Sequence, residues 1–372
     1  MAQVGNPQIA TNGLVMYYDM YNTKKSFKGN PTTNLVTNAS TMSSFNNYGS
    51  GPVSTFMTDF GTTGWRMNSA GSWNGCYQGI SIPSAGTYTF SAWYRYWGGS
   101  PNNNGATCYV SGWGGGDSAA YIDKSKIGIW QRISITLNVT TSSLTLYLIS
   151  YGGTNGADNS TWDVTMPQIE SGSYPTTWVD GSRSSTQALV DLMGKYTLTA
   201  NSLTYASDNT FSFNGSSDKI TLSSNSVISG TQDYTIESVF KTSASGSVDY
   251  IFGNYGSGNS GGLEYYVYQN KLNNYISGNT QSATTLGANQ WYYSTVTRSS
   301  STVTHYLNGV ADGSSTNGNS IGTSNPFTIG NGHDYTSEAF GGTIALVKVY
   351  SRALSANEVQ QNFNALRGRF GL

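Results

Sequence analysis

The sequence predicts an all-β chain, two antiparallel β-sandwiches finished by one short C-terminal helix. Segments in which apolar and polar residues alternate recur along most of its 372 residues, the period of a half-buried strand. Clusters of Gly, Asn and Ser separate them, in a chain with 45 glycines, 27 tyrosines and 9 tryptophans. Helical spacing behind a helix-start signal is found only near the C-terminus. The length allows two cores of ordinary size.

Taken in order, residues 87–94 (TYTFSAWY) alternate and set Tyr88, Phe90 and Ala92 on one face. Residues 130–137 and 144–149 behave alike, and Trp93 and Trp130, lying within such patterns, are assigned to core or sheet packing. In the second half, residues 211–213, 234–240, 291–297, 302–307 and 343–350 read as strands. Asn308-Gly309 and Asp312-Gly313 follow Leu307 and predict hairpin turns, because Asn and Gly tolerate positive φ. Ser355 with Glu358 three residues on is a capping box. Val359, Phe363 and Leu366 then recur at helical spacing and should bury against a sheet.

Charged residues are 10% of the chain and the net charge is −1, which excludes a broad basic footprint for nucleic acid and a polybasic membrane patch. Aromatic content of 13% argues against disorder. No apolar run approaches the roughly 18 residues of a membrane helix, so no membrane insertion is expected. The opening MAQVGNPQIATNG lacks a basic region followed by an apolar core, and no cleaved secretion signal is expected. Cys76 and Cys108 could pair or stand as two thiols; the sequence leaves both open.

The C-terminal half resembles the laminin-G/concanavalin A-like jelly rolls of phage and bacterial surface proteins. FSFNGSSDKI at 211–220, YTIESVF at 234–240, Trp291, YLNGV at 306–310, FGGTI at 340–344 and VYSRALSANE at 349–358 carry the resemblance. An opening strand of the same family is similar to GLVMYYD at 13–19, far ahead of ALVDL at 188–192, where the pattern resumes. The resemblance therefore implies a discontinuous jelly roll of residues 1–32 plus 184–372, with a second domain inserted at 33–183. That insert resembles carbohydrate-binding-module-type jelly rolls through NLV at 34–36, YTFSAW at 88–93, WQR at 130–132 and the exit QIESGSYPTTWVDGSR at 168–183.

Glycosidases of the concanavalin type need two carboxylates about 5–5.5 Å apart, which on one strand means acidic neighbours at i and i+2 or i+4. Glu237 and Glu264 each stand alone on their strands and are expected to be solvated or hydrogen-bonded strand residues. The two histidines, His305 and His333, form no triad pattern, and His305 is expected to be packed or paired across strands. No zinc spacing, P-loop or dinucleotide fingerprint occurs. The chain is expected not to be an enzyme.

Sugar sites in jelly rolls use aromatic platforms with Asn, Asp and Gln, often braced by calcium through oxygen ligands. Trp65, Trp73, Trp97 and Trp113, with Asn103 between the last two, stand on turn-like sequence and are the candidate carbohydrate-binding residues. The competing reading is that these rings fold back onto the sandwich or sit in a subunit interface. Asn331 and Asp334, in GNGHD at 330–334, are the candidate metal ligands, and calcium is the cofactor the resemblance brings with it. Relatives often place two acidic residues where GTIALV stands at 342–347; their absence here weighs against a metal inherited at that strand.

The resemblance implies a bacteriophage virion surface protein, a capsid decoration or a head or tail fibre component, made in the host cytoplasm and displayed on the particle. Its expected partners are other capsid or tail proteins, host-surface polysaccharide and further copies of itself. A bacterial adhesin or accessory carbohydrate-binding protein is the alternative.

Overall fold

The alternation is met by antiparallel pairing. The computed structural model describes residues 8–22, 25–49, 53–68, 73–99, 105–151, 161–201, 203–205, 211–243, 246–259, 261–334 and 338–372. The chain divides into two compact units, a discontinuous one of Met1–Asn30 with Ser184–Leu372 and an inserted one of Pro31–Arg183.

Among the described residues the discontinuous unit has two eight-stranded sheets. The first runs, in spatial order, Thr204–Tyr205, Phe211–Asn214, Gly341–Tyr350, Tyr234–Thr242, Trp291–Ser299, Thr302–Leu307 and Val310–Thr316; Leu14–Asp19 also pairs with Gly341–Tyr350. The second runs Leu189–Val190, Thr197–Asn201, Lys219–Leu222, Thr328–Ile329, Asp249–Gly253, Leu263–Tyr268, Lys271–Ile276 and Asn279–Gln281. The inner faces meet over a buried core that includes Ile236, Phe240, Phe252 and Leu272. Polar pairs also cross it: Tyr234 donates to Asn274 at 2.9 Å, and His305 Nε2 lies 3.0 Å from the Thr280 hydroxyl. His305 is fully buried, and burial pulls its imidazole down to about 4, so it is a neutral packing residue near pH 7.

The C-terminal helix, Ala356–Leu366, starts where the capping box places it. The Ser355 side chain accepts from the Glu358 N–H, and Glu358 accepts back from the Ser355 N–H at 2.9 Å. Val359, Phe363 and Leu366 are buried. Phe363 and Leu366 pack with Val239, Tyr293 and Leu346, and Val359 with Leu14, Tyr306 and Tyr350, all from the outer face of the first sheet. Asn308-Gly309 makes the expected hairpin, with φ of 49° and 80°. Only glycine suits the second position: φ is positive, and a Cβ there would lie 3.0 Å from the Phe363 ring. Asp312-Gly313 differs from expectation. It lies inside Val310–Thr316, where the register slips opposite Thr304 and Tyr306, and its positive φ serves a bulge instead of a turn. A single helical turn, Ser185–Ala188, also went unforeseen.

Among the described residues the inserted unit has two five-stranded sheets, Trp130–Val139, Gly86–Gly98, Thr161–Ser171, Thr63–Asn68 and Val53–Met57, and Asn46–Tyr48, Trp73–Ser81, Ser143–Tyr151, Gly105–Ser111 and Ser118–Tyr121, besides the short pair Thr32–Thr33 and Ser182–Arg183. Its exit motif is a clasp. Buried Glu170 accepts from Gln168, from the Thr176 N–H at 2.8 Å and from the Thr176 hydroxyl at 2.6 Å, while Arg183 binds Thr176. Asn34 ties the unit's start to this end by donating to the Pro167 and Val179 carbonyls. Cys76 and Cys108 are buried thiols, not joined in a disulfide, each opposite Leu148 on a different neighbouring strand. No helix among the described residues is long and apolar enough to cross a membrane.

Candidate functional site

The alternation that buries Tyr88, Phe90, Ala92, Tyr94 and Tyr96 sends Trp93, Arg95 and Trp97 to the other face of the Gly86–Gly98 strand. Cross-strand register then lines up one row on that outer face: Trp130 opposite Arg95, Arg95 opposite Asp163, Asp163 opposite Arg66, and Arg66 opposite Ser54. Asp163 is the hub. Its carboxylate is fully buried and accepts from Arg66 at 2.7 and 3.0 Å, from Arg95 at 3.1 and 2.9 Å, and from the Trp97 indole N–H at 2.6 Å. Five charge-assisted or indole donors offset the desolvation of one carboxylate. The bond to Asp163 in turn holds the Arg66 guanidinium above its ordinary pKa.

Rings and guanidinium groups interleave around this hub. The Arg95 guanidinium carbon lies 4.5 Å from the Trp97 ring centre and 4.4 Å from that of Trp130, and Arg66 lies 5.2 Å from Phe56 and 5.4 Å from Trp97. Phe60 extends the row, 5.4 Å from Trp93 and 5.5 Å from Trp130. The turn that carries Phe60 is tied by Thr58, whose hydroxyl donates to the Thr62 carbonyl at 2.9 Å. Such cation–π contacts fix the side chains at low entropic freedom. Two rings remain open to solvent: Trp97 is 43% and Phe60 is 42% exposed. The Trp130 indole N–H is buried and makes no hydrogen bond. The face thus offers fixed aromatic surface beside charged hydrogen-bonding groups, the combination that suits a ligand with both apolar and hydroxyl-bearing sides.

The structure does not gather the sequence-predicted residues into one site. Trp65, expected on a turn, lies in Thr63–Asn68 and is buried in the inserted unit's core, on the face opposite Arg66, because the strand's alternation continues through it. Trp73 opens the Trp73–Ser81 strand, and its side chain lies outside the described residues, as does Asn103. Trp113 is half-buried against the core, its indole donating to the Gly116 carbonyl at 2.8 Å. Of Trp65, Trp97 and Trp113, only Trp97 stands on the outer row. Trp93 and Trp130, assigned to packing, are half-buried members of that row. Phe60, Arg66, Arg95 and Asp163 went unread, although counting the alternation past Tyr94 would have found Arg95 and Trp97 together.

For the candidate metal ligands, Asn331 is buried with its Oδ1 unpartnered, whereas Asp334 is exposed with its carboxylate beside the His333 ring. Calcium takes six to eight oxygens. Among the described residues no group of three or more His, Cys, Asp or Glu is arranged to hold a metal. These two residues by themselves do not fit a calcium site.

No curated protein matches the chain. Among solved structures, domain 4 of AbnA, a GH43 extracellular arabinanase from Geobacillus stearothermophilus, in complex with arabinotriose, is 19% identical with a TM-score of 0.38, over 48% of this chain and 92% of that one. The binding domain of Paraclostridial mosquitocidal protein 1 is 16% identical with a TM-score of 0.37, over 48% of this chain and 49% of that one. The receptor binding domain of botulinum neurotoxin type G is likewise 16% identical at 0.37, over 47% and 48%. The chain spans about half the length of these two toxin domains, and likeness at this level says nothing about ligands. In sequence, residues 214–360, all within the discontinuous unit, match the family model of the concanavalin A-like lectin/glucanases superfamily. That stretch is similar to the domains this family model describes.

Proposed function

We propose that the chain is a non-enzymatic glycan-binding protein of a bacteriophage surface, a capsid decoration or a head or tail fibre component. In this reading the outer row of the inserted unit is its contact with polysaccharide. One observation carries the glycan part: Phe60 and Trp97 hold 42% and 43% of their surface in solvent although each is fixed by ring and guanidinium neighbours. Exposed aromatic surface held rigid is favourable chiefly when something covers it, and sugar rings present both the C–H faces and the hydroxyls this row accommodates. The virion part is supported by the sequence resemblance and by the low-charge, Tyr- and Asn-rich composition.

Purified chain should bind host-cell surface polysaccharide saturably, with and without a calcium chelator. Phe60→Ala together with Trp97→Ala should weaken that binding at least about tenfold in a chain that remains folded by circular dichroism, although loss of the Trp97 bond to Asp163 should lower stability by about 1–3 kcal/mol. Binding that survives both substitutions, or no binding to any host polysaccharide, sinks the assignment of this face. Mass spectrometry of purified virions tests the location. A turnover assay on the same polysaccharides tests the non-enzymatic reading, which fails if product accumulates and Glu264→Gln abolishes it.

A further inference from the structure

The second sheet of the discontinuous unit carries a carboxyl pair that nothing above uses. Glu264 projects from the outer face of Leu263–Tyr268; it faces Tyr275 across one strand boundary and Gly253 across the other. Tyr266, two residues on, shares its face, and Tyr250 lies opposite Tyr266. On the glycine side the space is taken: a Cβ at Gly253 would lie 2.8 Å from the Tyr250 hydroxyl and 2.1 Å from the Leu263 carbonyl oxygen. Tyr255 then packs edge-on to Tyr275, ring centres 5.4 Å apart. The second carboxyl, Glu338, arrives from the loop before Gly341–Tyr350, where its backbone carbonyl accepts from the Tyr250 N–H at 3.0 Å.

Among the described residues no positive charge pairs with this arrangement. Glu264 is only 6% exposed, yet its Oε1 makes no hydrogen bond, and neither does Glu338 Oε2. Neither residue belongs to an ion pair among the described residues. Burial first and the neighbouring Glu338 second push the Glu264 carboxyl up to about 8, and burial raises Glu338 as well. A metal is a poor candidate for the missing charge, since hard divalent ions take six or more oxygen ligands and among the described residues no group of three or more His, Cys, Asp or Glu is arranged to hold one. Tyrosine rings around a carboxylate are instead the surroundings in which ammonium groups are held, through charge and the negative faces of the rings.

We propose that Glu264 and Glu338, walled by Tyr250, Tyr255, Tyr266 and Tyr275, form a binding site for an organic ammonium group, as carried by an unacetylated amino sugar or an alkylammonium ligand. Glu264 is the floor; Tyr255, Tyr275 and Glu338 are half-buried and form the rim a ligand would meet first. The site lies in the discontinuous unit and stands independently of the glycan reading of the inserted one.

The test titrates the full chain at pH 8 and constant ionic strength with tetramethylammonium chloride, glucosamine, N-acetylglucosamine and calcium chloride, following the amide resonances of residues 263–276 by NMR. Saturable shifts with tetramethylammonium, absent with N-acetylglucosamine and reduced at least about tenfold in Glu264→Gln, are the expected result. A parallel response to glucosamine assigns the ligand to amino sugars; its absence beside a tetramethylammonium response assigns it to fully alkylated ammonium. Glu338→Gln, at a half-exposed position, gives a second variant whose fold is little perturbed. The proposal is overturned if no ammonium probe binds, if binding persists in both variants, if N-acetylglucosamine binds equally, or if calcium alone binds.

Discussion

The two outer faces of the discontinuous unit each bury a glutamate, and they do so in opposite ways. On the first sheet the C-terminal helix covers Glu237, which is fully buried together with Lys348, their charged atoms 2.6 Å apart. Asn362 from the helix donates to both Glu237 oxygens, at 3.1 and 2.9 Å, and the Tyr293 hydroxyl lies 3.1 Å from the lysine nitrogen. On the second sheet Glu264 is buried almost as deeply among tyrosines, with no ion-pair partner among the described residues and an unpartnered oxygen. Desolvation is similar; the donors differ. The lesson is that burial alone does not mark a carboxylate as structural, whereas an inventory of its partners separates a closed network from an open one.

The comparison is broken most directly at the closed face. Lys348→Met leaves Glu237 buried without its counter-charge and should cost about 3–5 kcal/mol in urea unfolding, while Glu237→Leu with Lys348→Met should recover most of that loss. A single-variant cost below about 1 kcal/mol would mean the two faces do not differ in this way. At the open face the sign reverses. The Glu264 pKa of about 8 stands above the 4.5 of an ordinary glutamate, so between those values the folded chain holds a proton that the unfolded chain has released. Stability therefore falls as pH rises from about 4.5 to 8, by at most about 1.4 kcal/mol per unit for this group. Glu264→Gln should flatten that slope and be more stable than the parent at pH 8 by about 1–3 kcal/mol, checked by chemical unfolding across the pH series. The smallest effect sharpens the role of the helical cover. Ser355→Ala removes the cap that accepts from the Glu358 N–H and should lower stability by about 1 kcal/mol.

Much of this fold was legible because its signals are local. Two-residue alternation located the long strands, and Ser355 with Glu358 located the helix, since each is set by neighbours along the chain. Where a local signal serves two ends it misled. The positive-φ tolerance of Asp312-Gly313 fits a bulge as well as a turn, and Thr-Gly before Trp65 looked like a loop although the strand runs straight through it. The site residues were harder, because they are assembled by register. Asp163 meets Arg66 and Arg95 only once three strands are paired, and Glu338 reaches Glu264 from a loop that no spacing rule along one strand could include.

The pairing of Leu14–Asp19 with Gly341–Tyr350 also sets an order of events during synthesis. Leu14 finds its partner Tyr350 only after every strand between them has been made. The Pro31–Arg183 unit, by contrast, has all its own strands available by Arg183. Chains fold from the N-terminus as they emerge, at roughly 5–20 residues per second. The inserted sandwich should therefore be complete while the first strand of the other still waits with an unpaired edge. That wait is the slow, high-contact-order step, and it makes the first strand the segment most exposed to mispairing on the ribosome.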